Sequence, residues 1–158
     1  MKLMHLTLIT VLISFANTAL AGQFEINWQN VEHYSDVKRT GITPQESYNN
    51  FIIKELSEEI IYLTEQLPSE QTLVVNITDV NLAGWVDPRL MPERVRVVVD
   101  HKPAQITLNY QLVEADKIIK QGNVELDDRG FSPTRTAGNE TLYYEKELIQ
   151  KWFRQTFA

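Results

Sequence analysis

The strongest structural constraint in this sequence is an amphipathic helix pattern between residues 43 and 68. The stretch Thr43-Pro44-Gln45-Glu46 combines a threonine suited to cap a helix, a proline at the first helical position and a glutamate placed to reach back to the cap. Apolar side chains then recur at spacings of three and four, at Tyr48, Phe51, Ile52, Leu56, Ile60, Leu63 and Leu67. We predict a long helix that packs this face against a core and is ended by Pro68.

Alternation of apolar and polar residues predicts strands on both sides of this helix. The predicted strands cover residues 24–28, 71–80, 94–99, 106–113 and 118–126. Within residues 106–113, the apolar side chains alternate with Thr107, Asn109 and Gln111, so we expect one face of the sheet to be exposed to solvent. Residues 114–117 are short enough to close an antiparallel hairpin between the last two strands.

A second amphipathic helix is predicted at residues 141–157, with Asn139 as its cap. Its predicted core-facing side chains are Tyr144, Leu148, Ile149, Trp152, Phe153 and Phe157. The element order is then β-α-β-β-β-β-α. For this order we predict an α+β fold, in which a largely antiparallel, twisted sheet of about five strands carries both helices on one face.

The first 21 residues have the pattern of a cleavable export signal. Lys2 precedes an apolar run at residues 3–15, and Ala19 and Ala21 place small residues at the positions that signal peptidase must accommodate. The clean apolar run is shorter than the roughly 20 residues that span a bilayer, so an uncleaved anchor is the less favoured interpretation. We expect cleavage after Ala21, which leaves residues 22–158 as a single soluble domain with no membrane insertion.

Composition limits which sources of stability and which partners are expected for this domain. The chain has no cysteine, so neither a disulfide nor a lipid-bearing cysteine is available, and a packed core must supply the stability. There are 21 Asp and Glu residues against 15 Lys and Arg residues, a formal net charge of −6. An acidic chain without a dense basic cluster is not expected to bind nucleic acid.

The best candidate for a binding segment is the long connection at residues 81–93. Connections of this length in compact domains are unusual, and those with tryptophan, leucine and methionine either pack onto their own domain or present a surface to a partner. Both interpretations stay open. The candidate binding residues are Asp79, Asn81, Leu82, Gly84, Trp85, Asp87 and Arg89.

No residue pattern rises to a catalytic, metal or cofactor signature. Asp79, Asn81 and Gly84 have a superficial likeness to the start of a calcium loop, but Leu90 stands where the closing bidentate glutamate should be. Only His33 and His101 remain after signal removal, and a zinc site without cysteine would need both of them. We therefore predict no catalytic residues, no metal site and no cofactor.

Several segments together resemble a bacterial family of exported proteins known as domain of unknown function 3016. They are Tyr34-Ser35-Asp36, residues 78–84, Arg96-Val97-Val98 with Tyr110, Leu126-Asp127-Asp128, and Tyr144-Glu145-Lys146 with Trp152-Phe153. The resemblance spans nearly all of residues 22–158. It implies a periplasmic location in a Gram-negative bacterium and implies no reaction.

Three hypotheses for function follow from the sequence. The first is a non-enzymatic accessory or binding protein of the cell envelope, which uses residues 82–91 and the adjacent sheet edge to contact an envelope protein or a small ligand. The second is a periplasmic hydrolase or metal-assisted enzyme, which requires that Asp36, Asp79, Asp127 or His101 converge in one pocket. The third is a structural protein that self-associates through its strand edges.

Overall fold

The computed structural model describes residues 22–90, 92, 94–128 and 141–157. The helices are α1 (Gln45–Thr64) and α2 (Tyr143–Phe157), and a short 3-10 helix at Val31–His33 follows the first strand. The strands are β1 (Gln23–Trp28), β2 (Gln71–Asn81), β3 (Trp85–Val86), β4 (Arg96–Val97), β5 (Gln105–Glu114) and β6 (Lys117–Asp127). The predicted signal with Ala19 and Ala21, and the predicted cap Asn139, lie outside the described residues.

The main sheet has four strands in the order β1-β2-β5-β6. β1 lies parallel to β2, whereas the β2–β5 and β5–β6 pairs are antiparallel. The predicted α+β fold with a largely antiparallel sheet is thus confirmed. The strand expected at residues 94–99 differs, because it is reduced to β4, which pairs with β3 in a separate two-stranded sheet instead of joining the main sheet.

Both helices pack on the same face of the main sheet. Alternate residues of β2, Leu73, Val75 and Ile77, are fully buried, and their partners on β5 face the same core. The predicted stripe of α1 is confirmed at Ile52, Leu56, Ile60 and Leu63, and Leu67 is buried just beyond the end of the helix. α2 adds four buried apolar residues, Leu148, Ile149, Trp152 and Phe153. Phe51 was predicted to be core and is 40% exposed, so that prediction is wrong.

The start of α1 differs from the predicted capping box. Pro44 occupies the cap position without a side-chain cap hydrogen bond, so the prediction that Thr43 caps the helix is wrong. The side chain of Gln45 ties the helix start to the preceding loop instead: Nε2 donates to the carbonyl oxygen of Val37 at 2.6 Å, and Oε1 accepts from the backbone N–H of Arg39 at 3.0 Å. These contacts bring residues 37–39 against the first turn of α1.

The face of the sheet opposite the helices carries polar side chains, as predicted for β5. Asn27, Asn76 and Asn109 occupy paired positions on β1, β2 and β5. Their side chains are linked in a row, because Asn27 Nδ2 donates to Asn76 Oδ1 at 3.0 Å and Asn76 Nδ2 donates to Asn109 Oδ1 at 2.8 Å. Each strand therefore alternates between the core and a solvated face.

The predicted hairpin between β5 and β6 is confirmed. Its two turn residues, Ala115 and Asp116, both have positive φ, of 46° and 61°. That backbone matches the right-handed twist of the flanking strands. Next to the turn the register shifts, since Leu112 pairs with Lys120 and Val113 with Ile118, so Ile119 has no partner on β5.

Candidate functional site

The candidate site is the base of the loop that leaves β2, residues 82–84, where every backbone N–H has a partner. In chain order, the three N–H groups donate to the carbonyl oxygen of Asp36 at 3.2 Å, to Oε1 of Glu145 at 2.7 Å and to the carbonyl oxygen of Lys102 at 2.8 Å. These partners come from three distant segments of the chain. The base of the loop is thus bound on several sides.

The three carbonyl oxygens of residues 82–84 all face one side chain. Arg96 Nη1 lies 3.4, 3.5 and 3.3 Å from them in chain order. The same guanidinium reaches the carboxylate of Asp36 through Nη1 and Nη2, each at 3.3 Å. The three backbone N–H groups are therefore satisfied, while the three carbonyl oxygens and Asp36 share the two hydrogens of Arg96 Nη1 in long contacts, which lowers the cost of burying this non-helical, non-strand segment.

Arg96 and Asp36 form this ion pair with little exposure to solvent. Their side chains are 12% and 18% exposed. A charge pair withdrawn from water needs well-placed hydrogen bonds to offset desolvation, and the carbonyl oxygens of residues 82–84 provide them on the Arg96 side. Arg96 Nε is buried and has no hydrogen-bond partner within the described ranges.

Glu145 is the second buried ionisable group at the loop base, at 3% exposure. Burial raises the pKa of its carboxyl group above the usual value, while the hydrogen bond from the Ala83 N–H and the positive charge of Arg96 act in the opposite direction. Its carboxylate fixes the backbone of the loop from the side of α2.

Gly84 ends the loop base in a conformation that favours glycine. Its φ is +75°, and a Cβ atom added there would lie 2.1 Å from the carbonyl oxygen of Val97. The backbone of β4 therefore approaches Gly84 more closely than any side chain allows. Among the candidate residues of the sequence, Gly84 has the clearest structural reason for its identity.

Asp79 and Asn81, two of the predicted binding residues, have partners within the protein. Both carboxylate oxygens of Asp79 accept hydrogen bonds from Ser35, from its backbone N–H at 2.7 Å and from its Oγ at 2.6 Å. Asn81 Nδ2 donates to Gln105 Oε1 at 3.1 Å, and Asn81 also forms a parallel bridge with Asp36. These side chains connect β2 to the segment that precedes α1.

The remaining predicted binding residues divide between the buried base and the exposed tip of the loop. Leu82 and Gly84 are buried, and Trp85 is half-buried in β3 opposite Val97. Asp87 is 5% exposed as a residue and accepts three side-chain hydrogen bonds from Arg89. These bonds lower the pKa of Asp87 below its usual value.

The structure does not bring the four groups of the enzyme hypothesis together. Asp36 is paired with Arg96, and Asp79 with Ser35. Asp127 lines a cleft between β6 and α2 that the other three groups do not line. Within the residues that the structure describes, no group of three or more His, Asp or Glu side chains is close enough to hold a metal ion.

Sequence reasoning missed Arg96 and Glu145 as organisers of the loop base. For Glu145 a signal was present, because it precedes Leu148 and Ile149 by three and four residues and so lies on the core face of α2. A carboxylate at a core position needs a partner. Arg96 gave no comparable signal, since it stands in a short run of valines that resembles an ordinary strand.

Comparison with known proteins places these residues in a family context. The family model described as "Protein of unknown function (DUF3016)" matches residues 22–155, which confirms the resemblance seen in the sequence. Segments that carried that resemblance meet at the loop base, through Asp36, residues 82–84, Arg96 and Glu145. Comparison with curated proteins and with solved structures gave no match.

Proposed function

We propose that this chain, which belongs to the DUF3016 family, is a non-enzymatic binding protein of the cell envelope, exported to the periplasm of a Gram-negative bacterium. The observation that carries the proposal is the anchoring of residues 82–84 by Arg96 and Glu145. A loop whose base is fixed on several sides has less conformational freedom to lose when its other residues bind a partner. Such pre-organisation lowers the entropy cost of binding a partner.

The tip of the loop, residues 88–90, and the neighbouring Val95, whose carbonyl oxygen accepts from the Asp87 N–H at 3.0 Å, have the composition of a contact surface. Leu90 and Val95 are 42% and 44% exposed, and the side chain of Arg89 is 78% exposed. Arg89 is held in place by Asp87, with Nη2 at 2.7 Å from Oδ2. A positioned guanidinium beside two exposed apolar side chains suits a protein surface that offers a carboxylate and an apolar patch.

An envelope protein is the partner that these features favour over a small ligand. Small-molecule sites are concave and bury most of the ligand, whereas this tip displays its side chains to solvent. The export pattern at residues 3–15, with Ala19 and Ala21, supports a location outside the cytoplasm. Within the described part of the chain, no helix has the length and apolar character needed to cross a bilayer.

Affinity capture from periplasmic extract tests the proposal, with the tagged protein as bait. We expect a specific partner that is lost when Leu90→Asp or Arg89→Glu is introduced, because each change removes one element of the contact surface. Ile42→Asp is the matched control, since Ile42 is 89% exposed and lies outside the loop. Capture that persists in both loop variants would refute a role for the tip.

Trp85→Ala tests whether Trp85 belongs to the contact surface or to the core. Trp85 is half-buried, so its indole contacts both the domain and solvent. If it belongs to the contact surface, the variant loses the partner and keeps its melting temperature. A fall in melting temperature by several degrees would instead show that Trp85 belongs to the core, since about 1 kcal/mol shifts the midpoint of a domain of this size by roughly 2–6 °C.

A further inference from the structure

Strand β6 forms one edge of the main sheet. It pairs with β5, and within the described residues no strand lies on its other side. β6 runs for 11 residues, Lys117–Asp127, and its pattern of burial is exposed over most of that length. An edge of this length presents a row of backbone donors and acceptors that another strand can pair with.

The two halves of β6 carry opposite charges. Lys117 and Lys120 lie in the first half, and Glu125 and Asp127 lie in the second. In an antiparallel pair of β6 strands, the acidic half of each copy would lie beside the basic half of the other. β6 is thus complementary in charge to itself.

The two ends of β6 also differ in shape. Near the start, Ile118 and Ile119 are 51% and 49% exposed, and the register shift at Ile119 interrupts the pairing with β5. Near the end, a cleft of about 410 Å³ opens between β6 and α2. Its lining is mixed, with the apolar Val124, Leu126, Leu148 and Trp152 beside the polar Glu125, Asp127, Lys151, Gln155 and Thr156.

We propose that two copies of this chain associate through β6, antiparallel and about a two-fold axis near Gly122. This arrangement places the Ile118–Ile119 pair of each copy at the cleft of the other, because the isoleucine pair and the cleft lie at opposite ends of one strand. Gly122 lies midway between Lys117 and Asp127, so an axis there sets Lys117 of each copy opposite Asp127 of the other. The contact is isologous, as a closed two-fold dimer requires.

Sedimentation equilibrium on protein expressed from the full sequence tests the dimer, over a range up to about 100 µM, which detects even weak dimers. The expected result is a mass of two chains at the upper end. The double variant Ile118→Lys with Ile119→Lys is expected to weaken association by at least about tenfold, because it removes the apolar insert and adds like charge. Ile42→Lys is the matched control at an exposed isoleucine elsewhere and should leave the dissociation constant unchanged.

Charge exchange provides a second test that does not depend on the isoleucines. Lys117→Glu and Asp127→Lys should each weaken the dimer, whereas the two changes together should restore it, since positions 117 and 127 of the two copies lie opposite one another across an axis at Gly122. Circular dichroism on each variant checks that the monomer is folded. A chain that stays monomeric throughout the range, or a dimer that is indifferent to the isoleucine variant, would overturn the proposal.

Discussion

Arg96 and Asp36 form an ion pair that joins the short strand β4 to the segment preceding α1, with Nη1 and Nη2 each 3.3 Å from a carboxylate oxygen. The same guanidinium faces three successive carbonyl oxygens of residues 82–84. One side chain therefore holds three segments that are remote in sequence. A planar group with five donors can do this, whereas the single ammonium of lysine cannot match the same set of acceptors.

Arg96→Ala is expected to lower the free energy of unfolding by about 3–5 kcal/mol, because it leaves the Asp36 carboxylate and three carbonyl oxygens without their donor. Urea unfolding followed by circular dichroism measures the change. Lys54→Ala is the control for the loss of a cation, since Lys54 pairs with Glu58 at the surface and its loss should leave the unfolding midpoint nearly unchanged.

A double-mutant cycle with Asp36→Ala then tests whether the pair itself is responsible. If Arg96 and Asp36 stabilise one another, the double variant is more stable than the sum of the two single losses predicts. Strictly additive losses would mean that Arg96 acts through the carbonyl oxygens of residues 82–84 alone.

Gly84→Ala should be severely destabilising, by about 3 kcal/mol or more, since it combines a positive φ with a backbone clash. The added Cβ would lie 2.1 Å from the carbonyl oxygen of Val97, which no side-chain rotation can relieve. Gly41→Ala is the matched control, because Gly41 has a φ of +60° but no atom within 4 Å of the added Cβ. It should cost only about 1–2 kcal/mol, and equal melting temperatures for the two variants would contradict the close approach of β4.

Periodicity predicted the fold well, because the core depends on local alternation and spacing. Ile52, Leu56 and Ile60 follow the helical stripe, and β5 alternates as expected. The prediction for residues 94–99 was less accurate, since a run of valines favours a strand without indicating its partner or its length. Only Arg96 and Val97 pair, and they pair with β3.

The loop base could not be predicted from sequence, because its contacts join distant segments. Ala83 and Glu145 are 62 residues apart, and Asp36 and Arg96 are 60 apart. No spacing rule connects such positions in a single sequence. The sequence did indicate the loop that contains residues 82–84, since its length and its apolar residues set it apart, but it did not indicate which half is buried.

Glu145→Gln should change how stability depends on pH. Burial raises the pKa of Glu145 above its usual 4.5, so the folded protein holds this proton more tightly than the unfolded chain does. The contribution of Glu145 to stability is full below pH 4.5 and falls as the pH rises toward the folded-state pKa. Glutamine stays neutral and keeps an oxygen for the Ala83 N–H. The stability of the Glu145→Gln variant relative to the wild type should therefore increase as the pH rises from 4.5 toward the folded-state pKa of Glu145.

Urea unfolding at a series of pH values between about 4 and 8 measures this difference for the Glu145 variant. Glu58→Gln is the control for losing one carboxylate, because Glu58 lies at the surface with its side chain 57% exposed. A difference between Glu145→Gln and the wild type that does not change with pH would contradict the burial of a titrating carboxyl at the loop base.

Tyr34→Phe is expected to change how stability depends on pH in the alkaline range. Burial, with a smaller contribution from the charge of Asp79, raises the pKa of Tyr34 from 10.0 to about 12, against the effect of the Gln29 backbone N–H. The folded state thus keeps the phenol protonated where the unfolded chain releases the proton, and the stability contributed by this group is lost as pH rises from 10 to 12. At neutral pH the variant should lose about 1 kcal/mol with the hydrogen bond to the Ile77 carbonyl oxygen, and its disadvantage should shrink above pH 10. Urea unfolding between pH 7 and about 11 measures this difference, with Tyr62→Phe as the control at an exposed tyrosine. A loss of stability in Tyr34→Phe that stays constant with pH would show that Tyr34 titrates alike in the folded and unfolded states.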